Sequence, residues 1–240
     1  MKSHSPIPHQ QFCALARKYA VTIPDSWSLG VHTVADHHES WSVQSGENVF
    51  IPLFPWRCER RFIELRRIVE SKTLEDVVLC RFSCVGDGRT LNLRQIVYRE
   101  FDLLEWITGV PIVSVFGCSN GERFSNILAR LENGTIASVE AGVSLPESAE
   151  MLDRHELVAR RGVASDRVVD THVPQQSVYL FDKEGLRTWT DTDAELFGLP
   201  TDEIAAVRAA FELAKEPASI ETNISQHKHL LDLLDQTFPS

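Results

Sequence analysis

The chain has 240 residues, of which 43% are hydrophobic and 24% charged, enough apolar material to close a sizeable core and too much for a disordered chain. The formal charge of −10 argues against a nucleic-acid scaffold, whose binding leans on clustered Lys and Arg. The first twenty residues hold no apolar signal core, and no run approaches the ~18 apolar residues of a membrane helix; a soluble, cytoplasmic protein with neither a membrane nor nucleic acid as partner is expected.

Taken in chain order, Gln10 to Ala20 places Phe12, Leu15, Ala16 and Tyr19 on one helical face. Pro24 and Gly30 interrupt the stretch after it, and within 32–48 only Ser40 to Ser45 suggests a short helix. Val49 to Phe54 is a short apolar run closed by Pro55. Arg57 to Ser71 then reads as an amphipathic helix with Phe62, Leu65, Ile68 and Val69 inward and its arginines outward. Asp76 to Val85 reads as a strand, and Leu93 to Ile107 as a helix stopped by Gly109. Further strands are expected at Pro111 to Phe116, Ser125 to Leu131 and Ile136 to Ala141, the last two joined by the turn Glu132-Asn133-Gly134, whose Asn and Gly tolerate positive φ. His155 to Arg160, Arg167 to His172, Ser177 to Phe181 and Leu186 to Thr190 continue the series, and helices over Thr201 to Ala214 and Ser225 to Phe238 close it.

Hairpin-linked strands with segregated helices predict an α+β fold: an open, largely antiparallel β-sheet with helices on one face. Residues 49–240 form this sheet domain, and 1–48 a short N-terminal segment. The uncovered sheet face is a natural place for a second copy of the chain. Five cysteines stand at scattered positions without paired CxxC sets, so reduced thiols rather than a structural zinc are expected. Cys80 and Cys84 fall on one face of their strand.

Three stretches together are similar to the C-terminal domain of the glucose–fructose oxidoreductase/inositol dehydrogenase (Gfo/Idh/MocA) family. WRCERRFIELRRIVESKTLEDVVLCRFSCV, from Trp56 to Val85, resembles the helix, turn and first sheet strand of that domain. FDLLEWITG, ending at Gly109, resembles its Asp-Leu-x-x-Trp-Leu-x-Gly helix end, and NILARLENGTIASVEA, from Asn126 to Ala141, its Asn-Gly hairpin. The resemblance covers 49–240 and implies a nicotinamide-dependent sugar or polyol oxidoreductase.

The residues depart from that implication in two places. A dinucleotide site needs GxGxxG between strand and helix, where glycine lets the backbone approach the pyrophosphate; no glycine set has that spacing, and Gly86-Asp87-Gly88 is followed by Leu91 at the third position. The segment His38 to Leu53 resembles the family's last Rossmann helix and strand, or Val49 to Phe54 leads straight into the sheet domain; on either reading the family's Glu-Lys-Pro lysine is missing. The family's Asp-x-x-x-His pair, on the helix before the Trp-containing end, falls here on Gln95 and Arg99, anchored on Asp102 and Trp106. Arg stays protonated and Gln does not titrate, so neither serves as general base. No His lies between His38 and His155 to repair the pair.

Two functional readings result. In the first the chain is a non-catalytic relative with no cofactor, acting through homo-oligomerisation, a protein partner or a small polar or anionic ligand held by Gln95, Arg99, Asp102 and Trp106. In the alternative it is the substrate domain of an NAD- or NADP-dependent sugar or polyol oxidoreductase whose Rossmann domain is separate or missing. A third possibility is a metal site among His32, Asp36, His37, His38 and Glu39. The arginines Arg57, Arg60, Arg61, Arg66 and Arg67 read as a solvated helix face, with docking of an acidic partner as the alternative.

Overall fold

The computed structural model describes residues 7–34, 38–47, 49–89, 92–147, 149–166, 177–183, 185–190 and 199–238, with backbone alone at 34, 38, 177–182 and 186–190. The chain divides into two compact units, Met1–Glu59 with Thr192–His229, and Arg60–Asp191 with Leu230–Ser240.

In the first unit, helix α1 (Ile7–Lys18) accompanies an antiparallel three-stranded sheet, β1 (Trp27–Val34), β2 (His38–Ser45) and β3 (Val49–Pro52). The short helix expected within Ser40 to Ser45 is therefore strand. Its apolar positions, Trp41 and Val43, lie opposite Val31 and Leu29 of β1, so tertiary pairing decides a segment whose own periodicity is weak. The compact units do not divide at 48/49, because Ile51 of β3 pairs with Val43 and joins the N-terminal core. Helix α4 (Thr201–Lys215) closes that core: Val207, Ala210 and Leu213 pack with Phe12, Trp27, Leu29, Val43 and Leu53. Phe12 and Ala16 are buried as the helical pattern predicts, but Tyr19, one turn on, is exposed.

The helix expected from Arg57 is two elements. Pro55 opens a 3-10 turn (Pro55–Cys58), the extended backbone of Glu59 ends it, and α2 (Arg60–Glu70) succeeds it. With α3 (Leu93–Thr108), α2 belongs to the second unit, whose sheet runs in the order β11-β10-β9-β8-β4-β7-β6-β5. These strands are β4 (Val77–Val85), β5 (Ile112–Asn120), β6 (Phe124–Leu131), β7 (Ile136–Gly142), β8 (Leu152–Ala159), β9 (Gly162–Ser165), β10 (Ser177–Asp182) and β11 (Gly185–Thr190). All neighbours are antiparallel except β4 and β7. The expected strand at 167–172 lies outside the described residues.

Burial alternates along much of the central strands. Cys80, Phe82 and Cys84 of β4, Ile127 and Ala129 of β6, and Ala137 and Val139 of β7 are buried, whereas Arg81, Phe116, Leu128 and Ile136 take the opposite phase and are exposed. Gly134 adopts a φ of 87° in the β6–β7 turn, the conformation its Asn-Gly sequence called for. The last helix, α5 (Ser219–Thr237), begins six residues earlier than periodicity suggests. None of the described helices is long and apolar enough to cross a membrane.

Candidate functional site

Helix α3 carries the positions that the sequence singles out, and its ends show why it forms where it does. The Asn92 side chain accepts from the Gln95 backbone N–H at 2.9 Å, while the Gln95 side chain accepts from the Asn92 N–H at 2.9 Å. This reciprocal capping box satisfies two N–H groups that a helix start leaves open. Gly109, at a φ of 69°, ends the helix in the left-handed region. Between these caps almost every α3 side chain is buried, including Arg99, Glu100, Asp102 and Glu105.

Arg99 and Glu100 meet charged groups from the sheet. On β8, Asp153 and His155 share the inward phase with Leu157, and they lie opposite Cys84 and Phe82 of β4 in the strand register. Arg99 grips Asp153 with both terminal nitrogens, Nη1 to Oδ1 at 3.2 Å and Nη2 to Oδ2 at 2.9 Å. Arg61 of α2 reaches the same carboxylate at 2.5 Å and Asp166, just past β9, at 3.1 Å. His155 lies between two carboxylates, Nδ1 at 2.6 Å from Asp166 Oδ2 and Nε2 at 2.9 Å from Glu100 Oε2. The backbone N–H of His155 donates to Asp166 Oδ1 at 2.7 Å. The rings of Phe62 and Phe82 meet the imidazole edge-on, at centroid distances of 4.7 and 4.8 Å.

Three cations, Arg61, Arg99 and His155, thus face three carboxylates, Glu100, Asp153 and Asp166. Burial alone would drive the proton off His155, but the flanking Asp166 and Glu100 carboxylates outweigh it and raise the pKa to about 10. An imidazolium, donating from both nitrogens, fits its two acceptors. Burial would also raise Asp153, yet Arg99, Arg61 and His155 hold its carboxyl well below the usual range. Burial pushes the Cys84 thiol upward, keeping it protonated.

His155, Glu100 and Asp166 are fully shielded from solvent, whereas Arg61 keeps part of its side chain exposed. The arrangement ties α2, α3 and β8 together; buried, hydrogen-bonded ion networks of this kind specify geometry more than they add net stability.

The other sequence candidates go elsewhere. Gln95 is engaged in the capping box. Asp102 is wholly buried in α3, and Trp106 is half-buried with the Arg66 guanidinium 4.7 Å from its ring centre. None of Gln95, Arg99, Asp102 or Trp106 lines the cavity of about 570 Å³ bounded by Lys72, Glu75, Asp76, Thr108, Asn133 and Thr135. His32 is on β1, with Nδ1 2.8 Å from Ser42 Oγ and its ring 4.9 Å from that of Phe50. Thr33 pairs with Glu39 and His32 with Ser40, so His32 and Glu39 project to opposite faces of the sheet and do not converge. Asp36 and His37 lie outside the described residues, and His38 is described by its backbone alone.

Sequence reasoning passed over Cys84, Glu100, Asp153, His155 and Asp166, and it placed Arg61 on a solvated face from which the structure turns it inward. Two signals were present. Glu100 falls on the buried stripe Ile96–Glu100–Leu104 at helical spacing, and Asp153 and His155 share their strand phase with Leu157. Arg60 and Arg67 do stay near the surface, paired with a buried Glu64.

No family model and no curated protein matches the sequence. Among solved structures, an oxidoreductase from Agrobacterium radiobacter, in complex with NAD+, L-tartaric acid and magnesium, superposes with a TM-score of 0.58 at 11% identity, covering 77% of this chain and 60% of that one. An inositol dehydrogenase homologue from Azotobacter vinelandii, complexed with NADH and myo-inositol, gives 0.55 at 9% identity over 76% of this chain and 60% of its own. Scyllo-inositol dehydrogenase from Lactobacillus casei, with NAD(H) and scyllo-inositol bound, gives 0.51 at 16% identity over 77% and 61%. The fold resembles part of that of the Gfo/Idh/MocA-type oxidoreductases. The Gfo/Idh/MocA-type likeness spans about 60% of the length of each of those chains, and at these identities it is a likeness of fold, while function rests on the site.

Proposed function

We propose that this chain does not catalyse hydride transfer and serves instead as a binding and assembly module built on the oxidoreductase-type sheet. One observation carries the reading. The two positions where the resemblance expects an acid–base pair are Gln95 and Arg99, and both are committed to structure: Gln95 to the capping box and Arg99 to the buried Asp153 pair. A permanently charged guanidinium held by a carboxylate takes no proton from a substrate hydroxyl. On this reading the chain uses no cofactor.

The partner that fits is a second copy of the chain. Phe116, 69% exposed, lies opposite Leu128, 52% exposed, on the uncovered sheet face, with Val78 and Ile136 also exposed. Arg81, Arg154 and Glu156 of the same face add charges of both signs, which suit a self-complementary interface. Free cysteines fit a reducing compartment such as the cytoplasm.

Titration with NAD(H) and NADP(H), monitored by calorimetry, tests the catalytic half of the proposal. No saturable micromolar binding is expected, and saturable binding would overturn it. Sedimentation tests the other half: a dimer that Leu128→Asp converts to monomer is expected, and a wild-type monomer at working concentration would refute assembly through this face. The alternative, a substrate domain completed by a separate Rossmann domain, draws on the likeness spanning about 60% of NAD-bound chains. It predicts nicotinamide-dependent oxidation of a polyol once such a domain is added.

A further inference from the structure

Cys84 of β4, Glu100 of α3 and Asp153 of β8 bring three ligand-type atoms within 4.8 Å of one another in a buried setting. Arg99 Nη1 is nearly equidistant from all three: 3.3 Å from Cys84 Sγ, 3.2 Å from Asp153 Oδ1 and 3.2 Å from Glu100 Oε1. Two of these contacts have hydrogen-bond geometry. The third is Coulombic only, since Glu100 Oε1 is buried without a hydrogen-bond partner. A buried carboxylate oxygen aimed at a cation centre with no donor of its own has the character of a metal ligand, not of a guanidinium acceptor.

We infer that Cys84, Glu100 and Asp153 form a divalent transition-metal site of the zinc class, whose centre this chain fills with the Arg99 guanidinium. The inference is independent of whether the chain is catalytic. One thiol and two carboxylates suit zinc or cobalt better than magnesium, which avoids sulfur. Metal–ligand bonds of about 2.0–2.3 Å require each side chain to close in by roughly 1 Å from its distance to Nη1, and a water would complete the fourth position. The exchange balances in charge. Removing Arg99 takes away one positive charge, the metal adds two, and forming the metal–sulfur bond breaks the Cys84 S–H bond and releases its proton to solvent. The remaining pairs, Arg61 with Asp166 and His155 with Glu100 and Asp166, need not change partners.

The test is an anaerobic Co2+ titration of the wild type, Arg99→Ala, and Arg99→Ala with Cys84→Ser. Arg99→Ala is expected to bind one equivalent and to gain sulfur-to-cobalt charge-transfer absorption in the near ultraviolet, together with a higher melting temperature. The wild type is expected to bind none, and adding Cys84→Ser is expected to abolish the band. A folded Arg99→Ala protein without the band, a band that survives Cys84→Ser, or equal binding by the wild type would each overturn the inference. Should Arg99→Ala lose its cooperative melt without metal, Co2+ but not Mg2+ is expected to restore it; failure of Co2+ to do so would count equally against the site.

Discussion

The two compact units solve the same packing problem with different chemistry. The first closes on an apolar cluster of Phe12, Trp27, Leu29, Val43 and Leu213, and its buried polar residues include Ser42, tied to His32, and His227, whose charged form burial disfavours. The second places three cations and three carboxylates under its helices. Apolar burial is non-directional and tolerates adjustment, so it fixes that a unit folds more firmly than how. A buried ion network is unforgiving: each charge is stable only where its partners stand, and the Arg61–Asp153–Arg99 chain locks α2 and α3 to β8 at one position. The contrast lies in α3, whose Arg99 and Glu100 are held in buried pairs with Asp153 and His155 of β8.

The largest effect should come from breaking the network at its hub. Asp153→Ala removes the carboxylate that Arg61 and Arg99 share and should cost about 3–5 kcal/mol in urea unfolding; replacing both partners, as in Arg99→Met with Asp153→Leu, should recover much of that loss, because one buried cation fewer is left short of a carboxylate. If the double variant were no better than Asp153→Ala, the network would be valued for packing alone. In the apolar unit Leu29→Ala should cost about 2–5 kcal/mol through lost burial and the cavity left behind, with the same loss at pH 6 and pH 9. A pH-dependent loss there would blur the contrast.

The pH dependence of the second unit ranks after these. His155 has its pKa raised from about 6.5 to about 10, so its contribution is complete below the unfolded value and is lost as pH rises through the folded one. Asp153, held low, contributes above its unfolded value of about 3.9 and loses that contribution as pH falls. Hydrogen exchange at β8 amides should therefore accelerate, through opening, on both the acid and alkaline sides once the intrinsic rate is divided out. An alkaline slope unchanged in His155→Gln would detach the effect from this imidazolium. The smallest change is expected at the helix start, where Asn92→Ala removes half the capping box for about 1 kcal/mol and should leave the network's pH profile as it was.

How much was legible depends on the range of the interactions. Helix α3 and the β6–β7 hairpin could be read because their signals are local: an apolar stripe ended by Gly109, and an Asn-Gly turn. Strands β1 and β2 could not, since they owe their form to pairing with each other. Arg99 was legible as the wrong residue for a proton acceptor, but its destination was not. Nothing within reach along the chain announces Asp153, 54 residues away, and an arginine in a chain whose other helix arginines read as surface residues gives no sign of facing inward.

By itself, then, the sequence determined the α+β class, the alternation that leaves one sheet face uncovered, and the absence of a titratable pair at 95 and 99, because periodicity and side-chain chemistry are properties of residues and near neighbours. Only the tertiary structure decided that Arg99 is a buried cation holding Cys84, Glu100 and Asp153, that His155 carries its proton between two carboxylates, and that β3 belongs with the N-terminal strands. Those outcomes depend on which distant groups share a low-dielectric interior, and there charge must find charge.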